Sequence, residues 1–301
     1  MEKRERGADI SLFAADGWQD YEVLDTGEGE KLERFGPYAF VRPYEEAAWP
    51  KTLSKKEWDA ADGKFWSTKT GAKGGWKLKD AVEKKWHMAY GGLKFLASPT
   101  PFRHLGFFPE QSSHWDFISE KIGAAKKPVK FLNLFGYTGL ASLSALAAGA
   151  EVTHVDASKQ TLSWAKENQK LSGLEALPMR VLEDDVLKFL EREVKRGNAY
   201  DAVIMDPPKF GRGPKGEIWK IEEKLPQLLA LVQKVLSSKP LFVILTSYAT
   251  DSSALALGYA LADTMKDFDG ETKQGEMCVR EKSNGRLLSL AHTAVWTNSK
   301  D

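Results

Sequence analysis

The chain has 301 residues, a formal net charge of +1, 42% hydrophobic residues and a single cysteine, Cys278. That length holds a substantial core and more than one unit, and the composition excludes a low-complexity chain, a disulfide framework and a cysteine-rich metal site. The charged start, Met1-Glu2-Lys3-Arg4-Glu5-Arg6, lacks an apolar leader segment. No window approaches about 18 uninterrupted apolar residues, so a cytoplasmic protein without a membrane span is expected.

The neutral total conceals an asymmetry. Residues 1 to 50 carry 6 Lys/Arg against 12 Asp/Glu, residues 51 to 104 carry 12 against 5, and the rest balance at 25 against 25. The basic segment also contains Trp49 at its edge, then Trp58, Trp66, Trp76 and Trp86. Lysines interleaved with exposed aromatics suit a polyanion whose bases stack, whereas the same residues also describe a solvated surface over a tryptophan-rich core.

From Tyr21 to about Arg42, short alternating runs separated by Asp25 to Gly29 and by Gly36-Pro37 predict a β-meander. Residues 50 to 75 read as an irregular excursion, and Trp86 to Tyr90 with Leu93 to Leu96 flank Gly91-Gly92 as a hairpin. A small β-rich domain over 1–104 is expected, with a possible role in substrate binding. Ser112 or Ser113 is placed to cap a helix running to Lys121. After it, strands and helices alternate: strands at 129–134, 151–156, 177–182, 201–206 and 241–245 are separated by helices at 140–148, 159–171, 186–195, 218–236, with a last helix at 252–265. Two closing segments, 271–280 and 286–296, predict an antiparallel hairpin. The expected fold of 105–301 is α/β, a doubly wound, seven-stranded, mostly parallel sheet with a terminal antiparallel hairpin.

In such a sheet, ligands bind at the carboxyl ends of the strands. The first of these ends is Asn133-Leu134-Phe135-Gly136-Tyr137-Thr138-Gly139, a strand breaking into a glycine turn, with Thr138 placed to cap the next helix. It is not the Gly-x-Gly-x-x-Gly fingerprint of dinucleotide enzymes. The second strand ends at Asp156, which can accept from both hydroxyls of a ribose or simply cap the following helix. The third ends at Asp184-Asp185-Val186, where an acid can accept from an exocyclic amine or favour the positive end of the next helix. The fourth ends at Asp206-Pro207-Pro208-Lys209-Phe210, in which the prolines stiffen a rim of carbonyls, Asp206 stands beside it and Phe210 can stack on a planar group. Beyond it, Arg212, Lys215 and Lys220 form a basic flap, either phosphate-holding or merely solvated.

These motifs in this order resemble those of class I S-adenosylmethionine-dependent methyltransferases. More narrowly they are similar to the large-subunit ribosomal RNA methyltransferase family, with its Tyr-Thr-Gly and Asp-Pro-Pro-Lys-Phe motifs and a lead-in matched here by Gly106-Phe107-Phe108-Pro109-Glu110-Gln111, where Glu110 stands in place of Asp. The resemblance covers about residues 104 to 248. It implies S-adenosylmethionine as cofactor, with the methionine part over Phe135 to Gly139 beside Phe108 and Gln111, the ribose on Asp156, the adenine against Ala157, Asp185 and Val186, and the methyl group facing Asp206 to Phe210.

The departures bear on chemistry. Related cytosine-5 enzymes carry a cysteine after the fifth strand, because carbon 5 must be activated by a thiolate. Ser247 stands there in this chain, and Cys278 falls in the terminal hairpin as a small buried residue. The family's usual amino-terminal RNA-binding domain is not evident either. The expected function is therefore methyl transfer to a nitrogen of a nucleic-acid base, with RNA as partner; a small-molecule or protein-side-chain methyltransferase and an inactive cofactor-binding scaffold are the alternatives. The five histidines show no metal-ligand spacing.

Overall fold

The computed structural model describes residues 9–67, 74–248 and 253–299. Its elements begin with β1 (Ile10–Ala14), the meander β2 (Tyr21–Gly27), β3 (Glu30–Phe35) and β4 (Tyr38–Pro43), helix α1 (Lys55–Asp59), β5 (Gly63–Ser67), β6 (Gly74–Leu78), and the hairpin of β7 (Trp86–Tyr90) and β8 (Leu93–Ala97). A 3-10 turn, Pro109–Gln111, runs into α2 (Ser112–Ala124). Then follow β9 (Lys130–Leu134), α3 (Leu140–Ala147), β10 (Glu151–Asp156), α4 (Lys159–Leu171), β11 (Met179–Glu183), α5 (Val186–Arg196) and β12 (Ala202–Met205). A ribbon of β13 (Phe210–Arg212) and β14 (Ile218–Lys220) precedes α6 (Ile221–Val235), β15 (Phe242–Ser247), α7 (Ala254–Thr264), β16 (Gly270–Arg280) and β17 (Leu287–Asn298).

The large sheet has the order β1-β16-β17-β15-β12-β9-β10-β11. From β11 to β15 all neighbours are parallel, whereas β17 runs antiparallel to both β15 and β16. The sheet is one strand wider than expected because β1 adds parallel to β16, pairing Ile10 with Gln274 and Ala14 with Cys278. Its exposed Ile10 and Leu12 hide it from an alternation argument, since the polar and apolar faces are not clearly divided. The first strand thus belongs to the large sheet although it lies before residue 104. No helix among the described residues is long and apolar enough to cross a membrane.

The amino-terminal part forms a five-stranded sheet, β2-β3-β4-β5-β6, with the β7–β8 hairpin beside it. The excursion expected at 50–75 is therefore partly regular: Ser54 caps α1 in a reciprocal capping box with Glu57, and β5 pairs antiparallel with β6. Four of the tryptophans there are structural. Trp49 donates to Thr26 Oγ1, Trp58 to Asp25 Oδ2, Trp76 to the Thr100 carbonyl and Trp86 to the Phe35 carbonyl, at 2.9–3.1 Å. Trp66 alone of the five is exposed, at 49%. The stacking surface expected from composition is thus largely a core.

That core does not stop at the junction. Phe35, Phe40 and Phe95 continue through Phe107 and Trp115 into Phe131 and Phe242 as one apolar cluster. Burying each such ring stabilises by about 2–3 kcal/mol, so the two parts are held as one body. Local expectations are corrected in three places. Gln111, without a side-chain capping bond, occupies the cap position of α2, and Ser112 and Ser113 lie inside the helix. Gly139, not Thr138, precedes α3. Ile218 lies on β14, and α6 starts five residues before Pro226, which sits inside the helix just past its first turn and removes one backbone bond there.

Candidate active site

The site is built at the end of β9, whose apolar residues are buried on both faces. There the backbone turns with Phe135 at φ 59°, Tyr137 at φ 51° and Gly139 at φ 92°. Two side-chain-bearing residues in left-handed conformation store strain, which surrounding contacts must hold. Gly136 donates to the Val155 carbonyl at 3.0 Å and Tyr137 N–H donates to Asp156 Oδ2 at 2.9 Å. Beneath the turn lies the His154 ring; a Cβ on Gly136 would come within 2.3 Å of it, so only glycine fits. Burial pushes His154 down to about 4, and its Nδ1 meets Ser142 Oγ, which also accepts from Asn133 Nδ2. Asn133 and His154 therefore brace the turn from below.

The lead-in segment closes over it. Thr138 Oγ1 donates to the Gly106 carbonyl at 2.7 Å, and Tyr137 OH meets His104 Nδ1 at 3.2 Å. The Phe108 ring stands 4.9–5.9 Å from the rings of Tyr248, His104 and Tyr137, forming an aromatic wall. The amino-terminal part grips the same segment: Trp18 Nε1 donates to the Pro109 carbonyl and Arg42 Nη1 to the Arg103 carbonyl.

Two adjoining cavities result. The smaller, about 60 Å³, is lined by Phe108, Gln111, Asn133 and Phe135 through Gly139. The larger, about 500 Å³, is lined by Phe135, Tyr137, Asp156, Ala157, Asp184, Asp185, Val186 and Pro208. Asp206 borders both. The cofactor-binding residues expected from sequence thus line these two adjoining cavities. Asp156 is directed by three donors, Tyr137 N–H, Ser158 N–H and Thr161 Oγ1, all at 2.9 Å, while Ser158 caps α4. Asp185 caps α5 through Lys188 N–H, and Asp184 is bonded to Arg192.

The turn after β12 differs from expectation. Pro207 is buried, Pro208 exposed, and the Pro208 carbonyl is taken by Trp219 Nε1 at 2.6 Å. Phe210 is 55% exposed and borders neither cavity; the buried Trp219 supplies the ring instead, 4.8 Å from Phe135. In the paired ribbon Phe210 faces away while Gly211 and Trp219 face inward, a reversal that alternation along a strand imposes but a motif does not reveal. The flap is ordered into that ribbon: Arg212 borders the cavity, Lys220 pairs with Glu223 at 2.8 Å, and Lys215 N–H donates to Glu217.

Asp206 is partly exposed at the meeting of the cavities. Burial and the nearby Glu110 carboxyl push it up to about 8. Gln111 Nε2 donates to Asp206 Oδ2 at 3.2 Å and to Tyr248 OH at 3.3 Å. Glu110 is itself raised by burial, against the pull of Lys31 and of a bond from Tyr248. Sequence reasoning missed Trp219, Tyr248, His104 and the role of Glu110; only Tyr248, immediately after Ser247 at a strand end, stood where a signal was available.

Comparison with known proteins agrees with this architecture. The family model for S-adenosylmethionine-dependent methyltransferases matches residues 55–242. A solved S-adenosylmethionine-dependent methyltransferase from Agrobacterium tumefaciens is 42% identical, with 95% of this chain and 93% of that one covered at a TM-score of 0.91. Ribosomal RNA large subunit methyltransferase K of Neisseria meningitidis serogroup B is 29% identical over 202 residues, 64% of this chain and 56% of the relative. Ribosomal RNA large subunit methyltransferase I of Klebsiella pneumoniae is 42% identical over 120 residues, 40% of this chain and 29% of the relative. The chain therefore spans about half or less of the length of these curated relatives. On the family match and the site it falls on, the chain belongs to the S-adenosylmethionine-dependent methyltransferases, with S-adenosylmethionine as its cofactor.

Proposed function

We propose that this chain transfers a methyl group to a nitrogen of a nucleic-acid base, and that the base belongs to RNA. The observation that carries the reading is the placement of Asp206 at the junction of the two cavities, accepting from Gln111 at 3.2 Å, with no thiol among the residues lining them. The residues present fit the cofactor. A space of about 500 Å³ lies within the usual range of small-molecule sites. Asp156, held in direction by its three donors, takes the ribose hydroxyls; Ala157 and Val186 flank the adenine, and Asp185 or Asp184 accepts from its amine. Asn133 and Phe135 to Gly139, with Phe108 and Gln111, hold the methionine part.

When bound, the cofactor supplies a methyl group on cationic sulfur, and the S–C electron pair returns to sulfur as the N–C bond forms. The aromatic wall of Phe108, Tyr137 and Tyr248 excludes water and fixes the approach of the acceptor's lone pair. Asp206, once ionised, takes the proton released by the acceptor nitrogen. Pro207 and Pro208 stiffen the turn that holds it. Carbon-5 chemistry would need a thiolate, but Ser247 is buried and burial pushes the Cys278 thiol up to about 11 while it points to the Glu276 carbonyl. RNA is supported by the relatives named for ribosomal RNA.

Incubation with methyl-labelled cofactor and separate RNA, DNA, protein and metabolite fractions tests this, followed by digestion of labelled RNA to nucleosides. Label in an N-methyl nucleoside is expected. Label confined to metabolites or protein, or recovered as 5-methylcytidine, overturns it; cofactor binding without any transfer leaves a scaffold.

A further inference from the structure

Behind the Phe108 wall lies a second chamber of about 170 Å³. His104, Phe108 and Tyr248 line both it and the cofactor cavity, so the two adjoin there, and its far side is made by Lys31, Arg42 and Tyr44 from the amino-terminal part. Such a space between two units, adjoining a cofactor site, is a common place for a second substrate.

The charges around it are unevenly satisfied. Glu33 accepts two bonds from Arg42, at 2.6 and 2.7 Å, and one from Tyr21 OH at 2.7 Å, and Lys31 stands 3.2 Å from it. Glu33 thereby consumes the near faces of both cations. Glu110, which borders the chamber together with Tyr248 and is 4% exposed, has no described lysine or arginine at ion-pair distance. A buried carboxyl without a cation destabilises the protein, and a scaffold role would place it as Glu33 is placed. Instead it faces the chamber beside Tyr248, whose hydroxyl accepts from the same Gln111 amide that donates to Asp206.

We propose that this chamber receives the acceptor, an amine-bearing heterocyclic base, and that Glu110 and Tyr248 hold the base's hydrogen-bonding edge while its reacting nitrogen reaches past Tyr248 into the adjoining cofactor cavity, where Asp206 stands. The inference rests on the base-methylation reading above. Phe108 and Tyr44 offer aromatic faces for the ring, and Arg103 at the same chamber's lining, 61% exposed in its side chain and 3.7 Å from the exposed Glu45 carboxylate, is placed to exchange that partner for a flanking phosphate.

Glu110→Leu and Tyr248→Phe test it, because replacing an unpaired buried carboxyl by an apolar group of similar volume leaves stability unchanged or raised. The readouts are thermal melting, cofactor affinity by calorimetry, and methyl transfer to protein-free total RNA from cells lacking this protein. Glu110→Leu should melt no lower than the parent, and both variants should bind cofactor within about twofold. Each should raise the acceptor KM about tenfold or more, the loss expected when a bond to a charged or buried partner is removed. An unchanged acceptor KM in both, with the parent active on RNA, overturns the inference and leaves the proposed function standing. A large fall in melting temperature for Glu110→Leu, or an equal loss of cofactor affinity, overturns it in favour of a scaffold or cofactor role. No transfer to RNA by the parent removes the base-methylation reading and this inference with it.

Discussion

Glu33, fully buried, and Asp206, half-buried at the junction of the cavities, are two acids in adjoining parts of the molecule, and they are treated in opposite ways. Burial alone would raise Glu33, but Arg42 and Lys31 outweigh it and hold it at about 2. Asp206 has no such cation, and burial with Glu110 beside it carries it to about 8. The first is fixed in one charge state and locks β3 to β4; the second is poised between two. A carboxyl that must move a proton near neutral pH needs the second environment, and one that only holds strands together needs the first.

The largest effect expected is from Asp206→Asn, which should lower kcat by about 10²–10⁴ while cofactor affinity stays within a few-fold. Loss of cofactor binding on the same scale would erase the distinction between the two acids. Arg42→Met should cost about 3–5 kcal/mol in denaturant unfolding, because it leaves Glu33 buried with one cation in place of two. A cost below about 1 kcal/mol would show that the pair does not lock the sheet.

The two acids should also separate by pH. Glu33 is lowered from 4.5 to about 2, so its contribution is present above 4.5 and lost as pH falls through about 2. Asp206 is raised from 3.8 to about 8, so its contribution is full below 3.8 and is lost as pH rises through about 8. Thermal melting of the cofactor-free protein should therefore show Asp206→Asn flattening the decline between about pH 4 and 8, and Glu33→Gln flattening the acid limb. Profiles that coincide with the parent would contradict the assignment.

Asp156→Ala should weaken cofactor binding by about 10–100-fold in calorimetry, with kcat at saturating cofactor largely kept. Smallest is Phe210→Ala: the ring points outward from the ribbon, and cofactor affinity and kcat should change by less than about twofold. A tenfold loss would restore the stacking role that the motif suggested.

Strand ends and the residues just after them were legible because period and punctuation are local. The apolar run 130–134 broken by Gly136 and Gly139, the acid closing β10, and Asp206-Pro207-Pro208 each occupy a fixed place in a wound sheet, so their convergence follows from topology. The caps were harder. Ser112 and Thr138 have the right side chains, yet the lead-in folds through a 3-10 turn and Thr138 is drawn to the Gly106 carbonyl, a partner 32 residues away.

What local order could not carry is which acid keeps its proton. The chain's own residues settled the strand–helix rhythm, the cofactor motifs and the missing thiol at Ser247, since each depends on neighbours in sequence. Only the packing of the amino-terminal sheet against the lead-in gave Arg42 and Lys31 to Glu33, left Glu110 and Asp206 with no described lysine or arginine at ion-pair distance, and set Tyr248 between two chambers. Charge states inside a protein depend on solvent exclusion and on partners many residues apart, and both come into being when the chain closes on itself.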